Sequence, residues 1–441
     1  MRRLLPYQPD LGHRLRQQAS ANSKAIWMRI PGSDQELFTA HPHDFIQLSY
    51  QQDSDDRKCY TSDTNAFWQR LDELLTRIKP QAGLEDIPFR GGLAGFIGYG
   101  GCPDKPSTPI GFPKAFMGLY THFIHIDHYR QTAEEIVLEA YPHADAWQLL
   151  VSKTVSTVIA STPFSLSSPF EALTPKALYT KHFHQIQKYL KEGDCYQVNY
   201  TQAFRAHCQG SSAQAMQRLL SVSNPAYAAW LSLPEGDVLS LSPELFLEVK
   251  NHRILTRPIK GTAPRHDDPE EDARQAERLG ASTKNRAENL MIVDLLRHDI
   301  GRHAKTGSVQ VEKLFEIESL PQVHHLVSTI SAELKSESAI IDLIRDCLPG
   351  GSITGAPKKR AMEIITELEP TPRSVYCGSI GFINADGDCQ LNIAIRTLLR
   401  LENDIYTWAG GGIVADSDCE DEYQECFDKI GALMRTLESM G

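Results

Sequence analysis

The feature that most constrains the fold is the close spacing of strand-like segments in the second half of the chain. Apolar runs rich in β-branched residues predict strands at residues 237–242, 245–249, 379–384, 391–401 and 405–409. Several of them are separated by too few residues for the crossover that joins parallel strands. We therefore predict an α+β fold with antiparallel or mixed sheets rather than a doubly wound parallel sheet.

The positions of further strands and helices, together with the length of the chain, predict that the protein has two parts. Further strands are predicted at residues 25–29 and 117–126, and helices at 64–78, 178–192, 268–280, 282–299, 340–347, 358–367 and 421–438. At 441 residues the chain exceeds the size at which a single core stops growing. A stretch rich in Ser, Thr and Pro at residues 161–175 predicts a linker between an N-terminal region, 1–160, and a C-terminal region, 175–441.

Composition excludes several classes of protein. The net charge is -11 and no long basic run is present, which argues against a nucleic-acid partner. No stretch approaches the ~20 apolar residues of a membrane span, and the first residues lack the apolar core of a signal peptide. The nine cysteines form no CxxC pair, so we expect reduced thiols and a cytoplasmic protein.

A glycine-rich run, RGGLAGFIGYG at residues 90–100, is the main motif of the N-terminal region. It lacks the GxGxxG spacing and the βαβ context of a dinucleotide site. We interpret it as a close-packed turn rather than a cofactor loop.

Lys260 stands where a predicted strand ends and a tight turn begins. A lysine is nucleophilic only when deprotonated, which requires partial burial or nearby cations, and Arg253, Arg257 and Arg265 are candidates for the latter. Taken alone, the motif favours a solvated loop lysine.

Three carboxylates lie on predicted helices. Glu288 is near an apolar stripe, so it requires a partner, which is either a divalent cation, Arg286 or solvent. Glu422 and Glu425 are three residues apart, but the helical wheel leaves Glu425 off the apolar face and Glu422 at its flank. Spacing alone therefore favours a solvated acidic face for this pair.

Two glycine clusters are candidates for anion binding. Residues 349–360 (PGGSITGAPKKR) run into a helix N-terminus, where backbone N–H groups favour a negative ligand, and Thr354, Lys358 and Arg396 are possible additional donors. The second cluster is AGGGIV at residues 409–414. Neither matches the GxxxxGK[ST] phosphate loop.

Together these motifs resemble those of the chorismate-utilising enzymes, most closely over residues 178–441. The elements that carry the resemblance are SPELF, PIKGT, ENLMIVDLLRHDIGR, HHLVSTI, PGGSITGAPK, AGGGIVADS and EYQE. The resemblance implies two β-sheets packed as a sandwich with helices outside. The N-terminal region resembles the corresponding part of the family more loosely, through RGGLAGFIGYG.

One position separates branches of this family. The branch that makes 4-amino-4-deoxychorismate carries lysine in PIKGT, whereas anthranilate synthases typically have alanine there. The resemblance thus implies that Lys260 is a covalent nucleophile toward chorismate, that Glu244 is the general acid for the leaving 4-hydroxyl, and that His325 lies beside that hydroxyl.

The remaining site residues follow from the same resemblance. Mg²⁺ is expected on Glu288 and Glu425, with Glu422 in the outer shell. The substrate carboxylate that does not bind the metal is expected on Tyr376, Arg396 and the backbone of Gly412. Thr354 and Lys358 complete the expected substrate-binding residues.

The chain departs from the family pattern at two positions. Asn285 replaces an acidic residue three positions before the metal-binding glutamate, so the outer metal shell is altered. His298 stands where asparagine is common, and we expect it to satisfy the core rather than to act in catalysis.

No motif of a glutamine amidotransferase is present, so a separate glutaminase subunit is the expected partner and ammonia source. The alternatives within the family are an anthranilate synthase component or an isochorismate or salicylate synthase. A non-catalytic regulator that binds an aromatic metabolite is the alternative from another class.

Overall fold

The computed structural model describes residues 1–50, 59–101, 111–141, 145–156, 162–321, 323–337 and 339–440. Cys102 and Ser161 lie outside these residues. Across the described ranges, no helix combines the length and apolar content that a membrane span requires.

The described helices are α1 (Leu11–Gln18), α2 (Thr64–Arg77), α3 (Asp145–Ser156), α4 (Lys176–Glu192), α5 (Ser212–Val222), α6 (Pro269–Ala281), α7 (Thr283–Gly301), α8 (Ile340–Cys347), α9 (Lys358–Leu368) and α10 (Cys419–Glu438). The strands up to the middle of the chain are β1 (Arg2–Leu5), β2 (Ala25–Ile30), β3 (Gln35–Thr39), β4 (Asp44–Leu48), β5 (Tyr60–Thr61), β6 (Gly92–Ile97), β7 (Ala115–Tyr120), β8 (His122–Asp127), β9 (Thr132–Val137), β10 (Ser165–Leu166), β11 (Glu171–Ala172) and β12 (Gln197–Gln209). The later strands are β13 (Tyr227–Leu233), β14 (Gly236–Ser242), β15 (Leu245–Lys250), β16 (Arg253–Arg257), β17 (Ile259–Pro264), β18 (Gln310–Ser319), β19 (Val323–Glu333), β20 (Gly355–Ala356), β21 (Ser379–Asn384), β22 (Cys389–Asn392), β23 (Thr397–Leu401) and β24 (Asp404–Ile413).

These strands form two large sheets. The first has the order β1-β9-β8-β3-β2-β13-β14-β23-β24-β12-β10, with β11 and β20 also paired to β12. The second has the order β17-β19-β16-β15-β22-β21-β6-β7-β4-β5, with β18 paired to β19. Among the described residues, β4 and β5 form the single parallel pair. The prediction of antiparallel or mixed sheets is confirmed.

The sheets pack face to face. One apolar core contains side chains from both sheets, such as Met28 and Trp408 from the first and Phe96 and Phe246 from the second. The opposite face of the first sheet packs against helices, as shown by Trp230 in the same cluster as Ile364 and Ile430. The predicted α+β sandwich with helices outside is thus confirmed.

Both proposed regions contribute strands to both sheets. In the first sheet β2 pairs with β13, and in the second β6 pairs with β21. The boundary between residues 1–160 and 175–441 remains a prediction. The predicted linker is not a free segment over its described part, because β10 and β11 both pair with β12.

Two predicted strands are each divided between the sheets. Residues 117–126 cover the end of β7 in the second sheet and the start of β8 in the first, and residues 391–401 likewise join β22 to β23. A continuous apolar run gives no signal of such a crossing, because both halves are buried.

The glycine-rich run is also different from the prediction. Residues 92–97 form the fully buried strand β6 rather than a turn. The glycines allow close strand approach, since a Cβ at Gly95 would lie 2.0 Å from the Phe116 carbonyl oxygen.

Candidate functional site

Lys260 is presented by an irregularity in the second sheet. The pairing of β17 with β19 shifts register between Ile259 and Thr262, so the two residues between them form a bulge. Gly261 has φ +90, and a Cβ there would lie 2.9 Å from the Asn285 side chain. Glycine is therefore required beside Lys260, and the bulge aims the lysine away from the regular ladder.

The Lys260 amine lies inside the site. The residue is half-buried, and its Nζ donates a hydrogen bond to the Ser352 carbonyl oxygen at 3.0 Å. Burial lowers the pKa of Lys260, with Lys429 acting in the same direction and Glu288 and Glu244 opposing it. A lowered pKa increases the fraction of the neutral amine, which is the form that nucleophilic attack requires.

The arginines proposed as the nearby cations do not perform that role, so that prediction is wrong. Arg253 pairs with Glu312, Arg257 with Glu318, and Arg265 with Asp272. Each guanidinium charge is therefore largely neutralised by its own carboxylate. The cation that depresses the pKa of Lys260 comes instead from α10, a distant part of the sequence.

Glu244 lies between β14 and β15 and is only 5% exposed. Burial raises the pKa of its carboxyl group, although Lys260, the Ser352 side chain and the Ile259 backbone amide oppose the shift. Ser352 therefore contacts both Glu244 and Lys260. A raised pKa favours the protonated carboxyl group, which is the form a general acid needs.

Glu422 and Glu425 converge on the backbone of β24. A Cβ at Gly411 would lie 2.7 Å from Glu422 Oε2 and 2.9 Å from Glu425 Oε2. Glu422 is only 3% exposed. The prediction of a solvated acidic face is thus wrong for Glu422, because the side-chain-free glycines of β24 let this flank of α10 pack against the sheet.

The three carboxylates have different environments. Burial raises the pKa of Glu422 to about 7, against a hydrogen bond from the Ser417 hydroxyl. Burial likewise raises the pKa of Glu288 on α7, with Lys260 and Lys284 opposing it. For Glu425 burial is outweighed by Lys429, whose Nζ lies 2.6 Å from Oε1, so that its pKa falls.

These carboxylates fit a hard divalent cation. Glu422 Oε2 is buried without a hydrogen-bond partner, which leaves an oxygen available for a cation or its water. No group of three His, Cys, Asp or Glu side chains among the described residues is arranged to hold a metal by protein ligands alone. Mg²⁺ does not need one, because it keeps several waters and takes one or two carboxylates together with its substrate.

His325 and Arg396 lie close to each other on the other side of the site. The Nδ1 of His325 is 2.9 Å from the Thr262 hydroxyl, and burial together with Arg396 lowers the pKa of His325 to about 4. Burial also lowers the pKa of Arg396. Within the described residues, no carboxylate or carbonyl accepts a hydrogen bond from its guanidinium group, so this arginine is available for an anionic ligand.

Tyr376 and Gly412 are joined through β24. Tyr376 is buried and stacks on Trp408 of β24, with ring centroids 6.0 Å apart. Burial holds the pKa of Tyr376 well above its usual range. Gly412 pairs with Asn199 of β12, and a Cβ at Gly412 would lie 2.5 Å from the Gln197 side chain, so the backbone is approached closely here.

Among the described residues, the side chains of Thr354 and Lys358 contact none of the other expected site residues, although the Thr354 carbonyl oxygen accepts a hydrogen bond from the N–H of Asn199, the residue paired with Gly412. The Thr354 hydroxyl donates to the carbonyl oxygens of Gly350 and Gly351. Lys358 Nζ lies 3.0 Å from Asp299 Oδ2 and lines a separate cavity of about 1170 Å³. The Thr354 hydroxyl is used within residues 349–360, and the Lys358 ammonium group joins α9 to α7 and to the Cys347 carbonyl oxygen, so their assignment to substrate remains a prediction.

The two departures from the family pattern have different surroundings. Asn285 packs its amide against Gly261, next to Lys260. His298 is exposed on α7 and lines the same cavity as Lys358. The expectation that His298 satisfies the core is therefore wrong, because it lies on the outer face of the helix.

Three further residues of the site, Lys429, Lys284 and Ser352, are not among those predicted from the sequence. Lys429 and Lys284 each lie four residues from a site glutamate on the same helix, a spacing that signals an ion pair. Ser352 acts partly through its backbone carbonyl, for which the sequence gives no signal.

Comparison with known proteins identifies the family of the chain. The sequence model of the chorismate binding enzyme family matches residues 24–435. The aminodeoxychorismate synthase component 1 of Salmonella typhimurium is 47% identical over 361 residues, which cover 80% of this chain and 78% of that protein. Its Escherichia coli counterpart is 45% identical over 386 residues, covering 86% and 84% respectively. The solved anthranilate synthase component I from Streptococcus pneumoniae has 28% identity and a TM-score of 0.76, covering 92% of this chain and 93% of that one. Because the family match spans nearly the whole chain, the protein belongs to the chorismate binding enzyme family.

Proposed function

We propose that this chain aminates chorismate to 4-amino-4-deoxychorismate, the precursor of p-aminobenzoate and folate, through a covalent intermediate on Lys260. The observation that carries the proposal is the Lys260 amine, held by the Ser352 carbonyl oxygen beside Glu244 and Glu288 with a lowered pKa. The relatives at 45% and 47% identity are named aminodeoxychorismate synthase component 1, which supports the same assignment.

The charges of the site suit a dicarboxylate substrate. Arg396 has no protein partner among the described residues and supplies a bidentate donor for one carboxylate. Tyr376 and the backbone of Gly412 are proposed to complete that subsite. The other carboxylate faces Glu288, Glu422 and Glu425, and two sets of negative charge cannot approach each other without a cation between them.

We assign that cation as Mg²⁺, held by Glu288 and Glu425 with Glu422 in the outer shell. When bound, it supplies positive charge that fixes the substrate carboxylate and offsets the repulsion among the glutamates. The unpartnered buried oxygen Oε2 of Glu422 supports the assignment. Asn285, whose amide packs on Gly261, does not contribute a charge to this group.

The chemistry divides into two displacements. The neutral Lys260 amine adds to the second ring carbon, the ring double bonds shift, and the 4-hydroxyl departs as water with a proton from Glu244. Ammonia then adds at the fourth carbon, the double bonds shift back, and the lysine nitrogen leaves as the free amine. One difficult displacement thus becomes two easier ones.

Proton transfers depend on two buried groups. The raised pKa of Glu244 favours the protonated form that the first displacement uses, and the carboxylate regains a proton as the amine nitrogens lose theirs. His325, whose pKa is lowered to about 4, is neutral and serves as a hydrogen-bonding group beside the leaving hydroxyl rather than as an acid.

Ammonia is proposed to come from a glutamine amidotransferase subunit, in keeping with the "component 1" in the names of the relatives. We also propose that the reaction takes place in the cytoplasm. All eight described cysteines are free thiols, which suits a reducing compartment.

Product identity tests the assignment. The purified chain with chorismate, ammonium and Mg²⁺ should form aminodeoxychorismate, detected by chromatography with mass spectrometry. Fluorescent anthranilate as the product would instead assign it to the anthranilate synthase branch, and turnover without ammonia would assign it to the isochorismate or salicylate synthases.

A second measurement addresses the intermediate. Acid quenching with chorismate but without ammonia should leave an adduct on Lys260, located by peptide mass spectrometry. Formation of aminodeoxychorismate with no adduct under any quench time would argue for direct attack by ammonia.

A further inference from the structure

Lys284 occupies a position that helix electrostatics disfavours. It is the second residue of α7, close to the positive end of the helix dipole, where acidic residues are normally stabilising and lysines are not. Its placement therefore has a cause outside its own helix.

The groups around the Lys284 ammonium group provide that cause. Lys284 Nζ lies 3.6 Å from Glu422 Oε1, and Glu288 follows one turn later on the same helix. Lys284 lowers the pKa of both carboxyl groups, although burial outweighs it in each. It is thus a counter-charge shared by two of the three glutamates assigned to the cation.

The second lysine of the group is held quite differently. Lys429 Nζ lies 2.6 Å from Glu425 Oε1 and also donates to the Gly410 carbonyl oxygen at 2.9 Å. The 3.6 Å contact of Lys284 exceeds the length of a charge-assisted hydrogen bond. The two side chains are similarly exposed, 46% for Lys284 and 43% for Lys429, so the difference lies in their hydrogen bonds: with none that short, the Lys284 ammonium group reaches water by rotation of its flexible stem.

From these contacts we infer that Lys284 is a displaceable counter-cation, which neutralises Glu422 and Glu288 while the divalent cation is absent and turns into solvent when the cation binds. Lys284 is thus a positioning residue. The inference rests on the proposed Mg²⁺ site. Because Lys284 and the divalent cation compete for the same carboxylates, the lysine weakens cation binding and in exchange holds the empty carboxylates in their ligating arrangement.

Direct measurement of cation affinity tests the competition. Mn²⁺, which accepts the same oxygen ligands, would be titrated by calorimetry and electron paramagnetic resonance into the intact chain and into Lys284→Gln and Lys284→Arg. We expect Lys284→Gln to bind Mn²⁺ about 3- to 10-fold more tightly, because one screened charge is removed, and Lys284→Arg to stay near the original affinity. Unchanged or weaker binding by Lys284→Gln would overturn the inference.

Lys305 provides a matched control. It forms an ion pair with Glu333 at 3.0 Å, and both side chains are more than half exposed outside the cluster. Lys305→Gln removes the same charge and one ion pair, so its Mn²⁺ affinity should stay unchanged. An equal gain in both variants would mean that net charge rather than Lys284 is responsible, and the inference would be wrong.

Chemical labelling tests the displacement itself. Acylation of lysine amines, resolved by peptide mass spectrometry, should increase at Lys284 when Mn²⁺ is added and stay low at Lys429. Constant or reduced labelling of Lys284 would show that the lysine does not leave. Absence of Mn²⁺ binding by the unmodified chain would reject the cation site, and this inference with it, without touching the Lys260 adduct on which the proposed chemistry depends.

Discussion

Two groups of buried charges lie close together in this protein and are satisfied to opposite degrees. Arg373 makes two hydrogen bonds to Glu369 and others to the carbonyl oxygens of Ile353 and Asn199. Arg396, by contrast, has no such partner among the described residues. Burial acts to lower the pKa of both arginines, but Glu369 holds the pKa of Arg373 well above its usual range, whereas that of Arg396 falls.

The difference separates structural charges from functional ones. A buried ion whose donors are all used holds the backbone in place, and Arg373 does so for the strand and the loop on either side of the site. A buried ion without a partner is costly unless a ligand supplies one. Arg396 is of this second kind, and the contacts of Lys260, Glu244 and Glu422 with the protein leave burial as the dominant influence on their pKa values.

The largest effect is expected at Lys260. Lys260→Ala should lower aminodeoxychorismate formation by at least ~10³-fold, because the nucleophile is lost. Thermal stability should be unchanged or higher, since a buried lysine without a carboxylate in contact is costly. Rate measurements and melting curves against Lys305→Ala test both parts. A loss of stability in Lys260→Ala, together with more than a tenth of the activity of the unmodified chain, would place Lys260 with the structural charges.

A fully paired arginine should behave in the opposite way. Arg373→Met leaves Glu369 buried and unpaired, and should destabilise the fold by about 3–5 kcal/mol. Urea unfolding measures this loss, and adding Glu369→Met should recover part of it. A stability close to that of the unmodified chain would remove the contrast between the two groups.

Substitution of Arg396, which has no protein partner among the described residues, should affect substrate binding rather than the stability of the fold. Arg396→Gln is expected to raise the KM for chorismate by ~10²-fold, because a charge-assisted contact to a carboxylate is lost, with a smaller change in kcat. Steady-state kinetics and urea unfolding of the same preparation separate the two effects. A stability loss as large as that of Arg373→Met would contradict a ligand-binding role.

The smallest effect concerns pH. The folded-state pKa of Glu422 is about 7 against an ordinary value of 4.5, so the native state binds a proton that the unfolded chain has lost. That stabilisation is fully present below pH 4.5 and is lost as the pH rises through about 7, by on the order of 2 kcal/mol. Urea unfolding in EDTA between pH 5 and 8 measures it. Glu422→Gln should remove this part of the slope, and an identical slope in the variant would show that Glu422 is not its source.

The sequence predicted the architecture well because its strands and helices carry local signals. The close spacing of the strands gave the antiparallel sheets, and family motifs placed Lys260, Glu244 and Glu288 around one site. The sequence carries no local signal where the determining contact is tertiary. The burial of Glu422 against the glycine backbone and the role of the Ser352 carbonyl oxygen cannot be recognised from residue type or spacing. The passage of the chain between the two sheets near Thr121 likewise causes no change in the periodicity of apolar residues.

Strands from the N-terminal and C-terminal regions pair with each other in both sheets, and this has a consequence while the chain is being synthesised. Arg90, just before β6, donates its amide hydrogen to the Asn384 side chain, 294 residues away, and β6 pairs with β21 in the same place. On the ribosome, β6 therefore emerges long before one of its two neighbours exists. The nascent N-terminal half therefore has an unpaired sheet edge until β21 emerges, so its exposure to aggregation during synthesis depends on strand order rather than on the stability of the finished fold.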